Sequence, residues 1–228
     1  VSCPLIATAD VFRVTRVDRC GNPVQGNDNA FVAECFSSIA FNNNVDDGDD
    51  IEYKAANGKV CGYRRGCPTF RGFDVEINFF AVSPELIELL TGNPVYLDAS
   101  GEVIGTDTCS LQCKTGFALE LWAEVLGEDC DEGSTGQWIY FVLPWITNGL
   151  LGDMEIGGEA VTLQVTGATR AGGNWGAGPY NVTRNAGGAP SPMLTPLGPT
   201  CHRRIFITDV APPVPSCDYV PVPVPATP

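Results

Sequence analysis

Positive charge is scarce in this chain. Lys and Arg number 13 against 27 Asp and Glu, for a formal net charge of −14 and a pI near 4.3. A protein that grips nucleic acid must neutralise phosphates with basic side chains, and this composition supplies the opposite field. Anionic membrane surfaces are disfavoured for the same reason. Histidine is scarcer: His202, between Cys201 and Arg203, stands alone. The neighbouring arginines make it a poor general base and no G-x-S-x-G elbow accompanies it, so it reads as a surface or loop histidine. Long apolar runs are missing too. The longest, Trp138 to Ile146, contains Pro144 and is too short for a transmembrane helix. The N-terminal Val1-Ser2-Cys3-Pro4 carries no basic region followed by an apolar stretch; an export signal is expected to be absent or already removed. Phosphate-loop chemistry is likewise unsupported. The run Gly172 to Gly178 lacks the Lys-Ser/Thr of a nucleotide loop and the third glycine of a dinucleotide fingerprint. It reads better as a loop anchored through Trp175 and Tyr180.

What the chain does have is enough to build a core. Over 228 residues, 44% are hydrophobic and only 18% charged, which excludes wholesale disorder. The 26 Gly and 18 Pro punctuate the sequence at the frequency an all-β protein needs. Phe73 to Phe79 alternates apolar and polar residues and predicts a strand with one buried face. Phe117 to Val125 repeats the pattern, with Phe117, Leu119, Leu121, Ala123 and Val125 inward and Glu120 and Glu124 on the wet face. Val161, Leu163 and Val165 alternate with polar neighbours, Arg204 to Val210 predicts a last strand, and Val11 to Val17 a first. Gln137 to Ile146 is apolar on both faces, as for a strand covered on each side. Phe31 to Phe41 is expected to pair with the first strand across the Gly21-Asn22-Pro23 turn. One helix is well marked: Ser83 caps, Pro84 takes the first position, Glu85 suits the positive end, Leu86, Ile87, Leu89 and Leu90 form an apolar face, and Gly92 ends it.

Three segments lack a regular pattern. Asn42 to Asp50 reads as an acidic loop, followed by a hairpin turn at Asn57-Gly58. Ala171 to Gly198 is rich in Gly, Asn and Pro. Residues 211–228 form a Pro-rich tail of expected polyproline-like conformation, appended to a domain spanning 1–210.

The cysteines, 10 in number, sit at Cys3, Cys20, Cys35, Cys61, Cys67, Cys109, Cys113, Cys130, Cys201 and Cys217. An even count, widely spaced, favours several disulfides whose pairing the sequence does not give. Cys109 and Cys113, with Cys61 and Cys67, have acceptable and loose spacing for zinc, and disulfides explain them equally well. The run Asp46-Asp47-Gly48-Asp49-Asp50 invites a calcium reading, but aligning Gly48 with the EF-hand glycine puts Val45 and Lys54 at ligand positions. A solvated loop or a subunit contact suits Asp46, Asp47, Asp49 and Asp50 better. Glu120 and Glu124 offer a carboxylate pair for glycoside hydrolysis, against which stands the default of solvated surface charge. No cofactor is expected.

Several pieces, in order along the chain, resemble the major tail tube proteins of long-tailed bacteriophages infecting actinobacteria. They are Gly58-Lys59-Val60-Cys61 after the acidic run, Gly72-Phe73-Asp74-Val75-Glu76-Ile77, Ser83-Pro84-Glu85-Leu86 leading to Leu89-Leu90-Thr91-Gly92, Gly173 to Asn181, and the Pro-rich end with Cys217. The resemblance implies a mainly β fold, a β-sandwich or small barrel with one flanking helix, long loops and an extended tail. It implies a non-catalytic virion protein, assembled in the host cytoplasm, whose partner is itself. Six copies would close into a ring and rings would stack into a tube. Tape measure protein and double-stranded DNA would pass through the lumen without tight binding, and other tail proteins would cap the ends. The run from Asn42 to Asn57 would reach the adjacent ring. A terminator or baseplate ring subunit shares this fold. The residues support the idea independently: unpaired sheet edges are an assembly liability unless copies pair them, and an acidic lumen repels phosphates. The rival reading is a secreted or virion-surface β-sandwich binding module, supported by the cysteines, the Gly/Pro-rich loops and the acidity.

Overall fold

Alternation of apolar and polar residues is converted into one large antiparallel sheet. The computed structural model describes residues 5–34, 36–80, 83–109, 116–126, 136–152 and 162–224. Its strands are β1 (Leu5–Val17), β2 (Gly26–Ala33), β3 (Phe36–Asp46), β4 (Ile51–Lys54), β5 (Val60–Arg64) and β6 (Thr69–Phe79). Helix α1 (Pro84–Thr91) precedes β7 (Val95–Leu97), β8 (Val103–Thr106), β9 (Gly116–Leu126), β10 (Trp138–Leu151) and β11 (Leu163–Thr169). The chain finishes with β12 (Thr183–Arg184), β13 (Pro190–Ser191), β14 (Arg204–Thr208) and β15 (Val220–Val222). The main sheet runs β15-β2-β1-β9-β10-β11-β6-β3, with β14 on β10.

The inner face of this sheet holds the principal core. Phe12, Val14, Phe79, Phe117, Leu119, Leu143 and Ile146 pack there against Leu86, Leu89 and Leu90 of α1. Phe12 of β1 stacks edge-on with Phe36 of β3 at 5.2 Å and lies 5.7 Å from Phe79 of β6. Strands that far apart in the sheet order meet only because the sheet rolls over on itself. The helix plugs that roll. Its ends are set locally: Ser83 Oγ accepts from Glu85 N, and Gly92 adopts a left-handed conformation with its N–H donating to Glu88 O. Where α1 meets β10 the fit is close, since a Cβ on Gly149 would stand 1.7 Å from Leu90 O.

Strand β10 is the hinge of the topology. Its first half pairs with β14 through Trp138 to Val142, and its second half with β11 from Ile146 to Leu151. The changeover falls at Pro144, which has no N–H to give a ladder, and the register against β9 shifts between Leu143 and Ile146.

Several expectations are corrected here. Asn42 to Asp46 is strand, not loop: it continues β3 against β6, with Asn44 donating its side-chain amide to the Asp74 carboxylate. A polar run stays extended when a neighbouring ladder holds it. Phe31 to Phe41 is two strands. Val32 and Phe31 belong to β2 beside β1, whereas Phe36 onward crosses to β6 at the other end of the sheet. The Pro-rich tail is not merely polyproline-like, because Val220 and Val222 pair with β2 at its outer edge. Alternating prolines spare every second N–H for pairing. Ala171 to Gly198, read as a patternless loop, includes the small β12–β13 ladder and lays Trp175, Val182, Met193 and Leu197 over the outer face of β9 and β10. This second core explains why Gln137 to Ile146 is apolar on both sides. Val161 lies outside the described residues.

Candidate functional site

Two places concentrate unusual chemistry: the arm formed by β4 and β5, and a charged pair buried under the second core.

The arm is an antiparallel ladder from Ile51↔Arg64 to Lys54↔Val60, closed by the turn at Ala55 to Gly58. Asn57 Oδ1 accepts from Lys59 N, and Gly58 takes φ 82°, as the Asn-Gly signal requires. Neither strand joins the main sheet. The result is a ribbon with Ile51, Tyr53, Val60 and Tyr63 exposed at 45%, 68%, 45% and 61%. Lys54, Lys59, Arg64 and Arg65 stand exposed among them.

The acidic run sits at the root of this arm. Asp46 ends β3 and pairs with Arg71. Asp50 accepts from Gly66 N at 2.8 Å and from Tyr63 Oη at 2.7 Å. Those bonds, the Gly66 N–H first, hold the Asp50 carboxyl below its ordinary pKa. Gly48 and Gly66 face one another so closely that a Cβ on either would meet opposing backbone within 2.5 Å or less. Asp47 and Asp49 remain exposed. The run is therefore half of a stapled break between two ladders. Among the described residues, no group of three His, Cys, Asp or Glu side chains could hold a metal ion.

The cysteine expectation finds no support in the geometry. Cys20, Cys61, Cys67, Cys109, Cys201 and Cys217 are free thiols, all exposed. They are spread over the β1–β2 turn, strand β5 of the arm and the segment after it, the segment after β8 and the approaches to β14 and β15, each in a separate place. Cys3, Cys35, Cys113 and Cys130 lie outside the described residues.

The carboxylate pair also resolves differently from expectation. Glu124 is exposed, but Glu120 is 1% exposed and faces the second core with Ala118 and Trp122. It stands directly across the ladder from Arg13. Arg13 Nε and Nη2 each donate to a different oxygen of Glu120 at 2.6 Å, and Tyr140 Oη donates to Oε1 at 2.5 Å. The Arg13 guanidinium lies 3.3 Å from the ring centroid of Tyr180 and 5.1 Å from that of Trp122. Tyr180 Oη in turn lies 3.0 Å from Thr15 Oγ1. Burial opposes the charge on Arg13, yet the adjacent Glu120 carboxylate prevails and the Arg13 pKa rises. Burial, then the charge of Glu120, lifts Tyr140 well above the usual phenol value, and burial pushes Tyr180 up to about 12. Both carboxylate oxygens of Glu120 are thus held by neighbouring side chains. Sequence reasoning missed Arg13, Trp122 and Tyr140; the one readable signal was Trp122, a large apolar side chain on the face assigned to water.

A cleft of about 890 Å³ opens over this network. Arg13 and Trp122 line it, Trp175 and Tyr180 add aromatic surface, and Pro213 and Pro223 contribute from the C-terminal segment. Among the described residues no carboxylate, imidazole or thiol lines it, and the buried Nε1 of Trp122 has no hydrogen-bond partner. Anchoring of Trp175 and Tyr180 against a surface agrees with the expectation for that loop. His202, expected to be a surface or loop histidine, lies in the loop before β14 but is buried: its Nδ1 lies 2.9 Å from Thr169 Oγ1, which accepts from Phe73 N at 2.7 Å. Burial lowers its pKa. No protein-family model matches the chain, and no curated protein matches it.

Proposed function

We propose that this chain is the structural subunit of a bacteriophage tail tube, closing into hexameric rings that stack into a conduit for the genome. The observation that carries the reading is the β4–β5 arm. A two-stranded hairpin standing alone is marginal in water, and this one exposes aliphatic and aromatic side chains on both faces. Such a ribbon gains stability when another copy covers it. Sheet edges add to the case. β3 and β14 each have one strand partner among the described residues, and β14 exposes Ile205 and Ile207 at 45% and 49%. Unpaired edges that meet copies of the same chain give rings, and unlike faces that meet give an open-ended stack. The Asp46 to Asp50 root would form part of the ring-to-ring contact, and the net charge of −14 would keep DNA phosphates from adhering to the wall. On this reading the chain performs no catalysis; its partners are its own copies, the tape measure protein, double-stranded DNA and the proteins at the tube ends.

Negative-stain microscopy of the purified protein at high concentration tests it. Rings or tubes are expected. Monomers that persist at the highest concentration reached, by light scattering and by microscopy, defeat the proposal. They would favour the second reading, a virion-surface or secreted binding module, for which the cleft over Arg13 and Trp122 is the supporting observation.

A further inference from the structure

We infer that the β4–β5 arm of one copy docks on the β7–β8 hairpin of the next copy. The inference rests on the tail tube reading for its partner, another copy of this chain, and names the surface that receives the arm. Like the arm, β7–β8 joins no strand of the main sheet, and Tyr96, Leu97 and Ile104 stand exposed on it. Its turn is built by Asp98, whose carboxylate accepts from Ser100 N at 2.8 Å and from Glu102 N at 2.9 Å. The tip is therefore formed before any partner arrives, and little ordering is needed on binding.

Charge decides which apolar ribbon meets which. The arm holds Lys54, Lys59, Arg64 and Arg65 against the single acid Glu52, on a chain of net charge −14. Arg13, Arg16, Arg71 and Arg184, by contrast, are each tied to a carboxylate of their own copy. The stretch from Ser83 to Cys109 has no Lys or Arg, and Asp98, Glu102 and Asp107 lie along the hairpin, the last two exposed. An arm on an arm would set lysine against lysine, and a hairpin on a hairpin carboxylate against carboxylate. Only the crossed pairing joins unlike charges while it covers both apolar surfaces. The chain runs into the arm and into the α1 and β7–β8 region from opposite ends of β6, at Thr69 and Phe79, roughly 30 Å apart along the strand. An interface that joins unlike surfaces of identical subunits propagates head to tail. DNA suits the arm less well: it would meet the repelling field of the whole chain and leave Ile51 and Val60 uncovered.

The test uses the full chain in two charge-reversed forms. One carries Lys54→Glu with Lys59→Glu, which leaves acids on both the arm tip and the hairpin. The other carries Glu102→Lys with Asp107→Lys, which leaves lysines on both. All four positions are exposed, so melting midpoints should stay near that of the parent. Each form alone is expected to need about tenfold more protein to assemble, by light scattering and microscopy. Mixed in equal amounts they should assemble as the parent does, because each arm then meets a hairpin of opposite charge. Zero-length carbodiimide coupling of unlabelled with isotopically labelled parent should join Lys59 to Glu102 or Asp107 in peptides of mixed label. Parent tubes that lack such peptides, a mixture that stays unassembled, or either form assembling alone as the parent does would overturn the docking and leave the tail tube reading standing. A parent that gives the mixed peptides but neither rings nor tubes would keep the docking and defeat the tail tube reading.

Discussion

The β9–β10 pair and the β4–β5 arm are both antiparallel, successive in sequence and rich in aromatic residues, yet they relate to water in opposite ways. β9 and β10 are covered on both faces, by α1 and the rolled sheet on one side and by Trp175, Val182, Met193 and Leu197 on the other. Even a carboxylate there is 1% exposed. The arm is covered on neither face, and Tyr53 and Tyr63 remain more than half exposed. The difference lies in what comes back to them. The segment from Ala171 to Gly198, after β11, returns to blanket β9 and β10, whereas nothing in the described chain returns to the arm. Covering within one copy serves the body; the arm's apolar surface stays uncovered by the described residues.

The largest effect should follow from breaking the covered pair. Glu120→Ala strands a buried guanidinium and should cost about 3–5 kcal/mol, read as a drop in the urea midpoint with unchanged slope. Replacing both partners with apolar residues, Arg13→Met with Glu120→Leu, should recover most of that loss, because two desolvation penalties vanish together. A Glu120→Ala variant with wild-type stability would mean that water reaches the pair and that the second core does not seal it. Gly149→Ala comes next. The added methyl would collide with Leu90 O, so α1 must shift from β10 at a cost of about 1–3 kcal/mol. Normal stability there would deny the close seating of the helix.

Changes to the arm should look different. Replacing Ile51, Tyr53, Val60 and Tyr63 together with Ser should move the melting midpoint little, since surface substitutions cost within about 0.5 kcal/mol each. The same variant should lose the ability to form rings or tubes in microscopy. Loss of folding with it would show that the arm belongs to the body's stability after all. Unimpaired assembly would remove the main support for the proposed function. Alanine at Asp46, Asp47, Asp49 and Asp50 should likewise impair stacking more than folding. Asp50 is expected to contribute most of that local effect, through Gly66 and Tyr63.

The same contrast explains what the sequence revealed. Helix α1 was legible from Ser83-Pro84-Glu85 to Gly92 because caps and dipole act within a few residues. β6 and β9 were legible because alternation is local as well. Glu120 was misread because alternation reports two faces without saying what covers either one. Its cover comes from Trp175 and Tyr180, over fifty positions downstream, and its ion partner from Arg13 on β1, by register alone. Asn42 to Asp46 was misread for a related reason: its polarity is that of a loop, and only the ladder with β6 keeps it extended. The arm's turn was visible in Asn57-Gly58, but its isolation from the sheet was not, since isolation is a property of everything that fails to pack on it.

The smallest expected effect separates the two regions by pH. In the body, His202 fastens the β6–β11 junction through Thr169, and burial holds its folded pKa below the ordinary value of about 6.5. A depressed histidine is neutral in the folded state, so its contribution is complete above that value and declines as pH falls from there through the lower folded pKa. In the arm, Asp50 is held ionised by Gly66 N–H and Tyr63. Its contribution is complete above the ordinary carboxylate value of about 3.9 and declines as pH falls through a folded pKa lower still. Acidification should therefore loosen the regions in sequence. As pH falls below about 6.5, amide protection factors should drop first around Phe73 and Thr169, with those of the β4–β5 amides unchanged. Only below about pH 4 should the arm follow. An arm that opens first, or His202→Gln leaving the upper transition in place, would detach these two groups from the regions assigned to them.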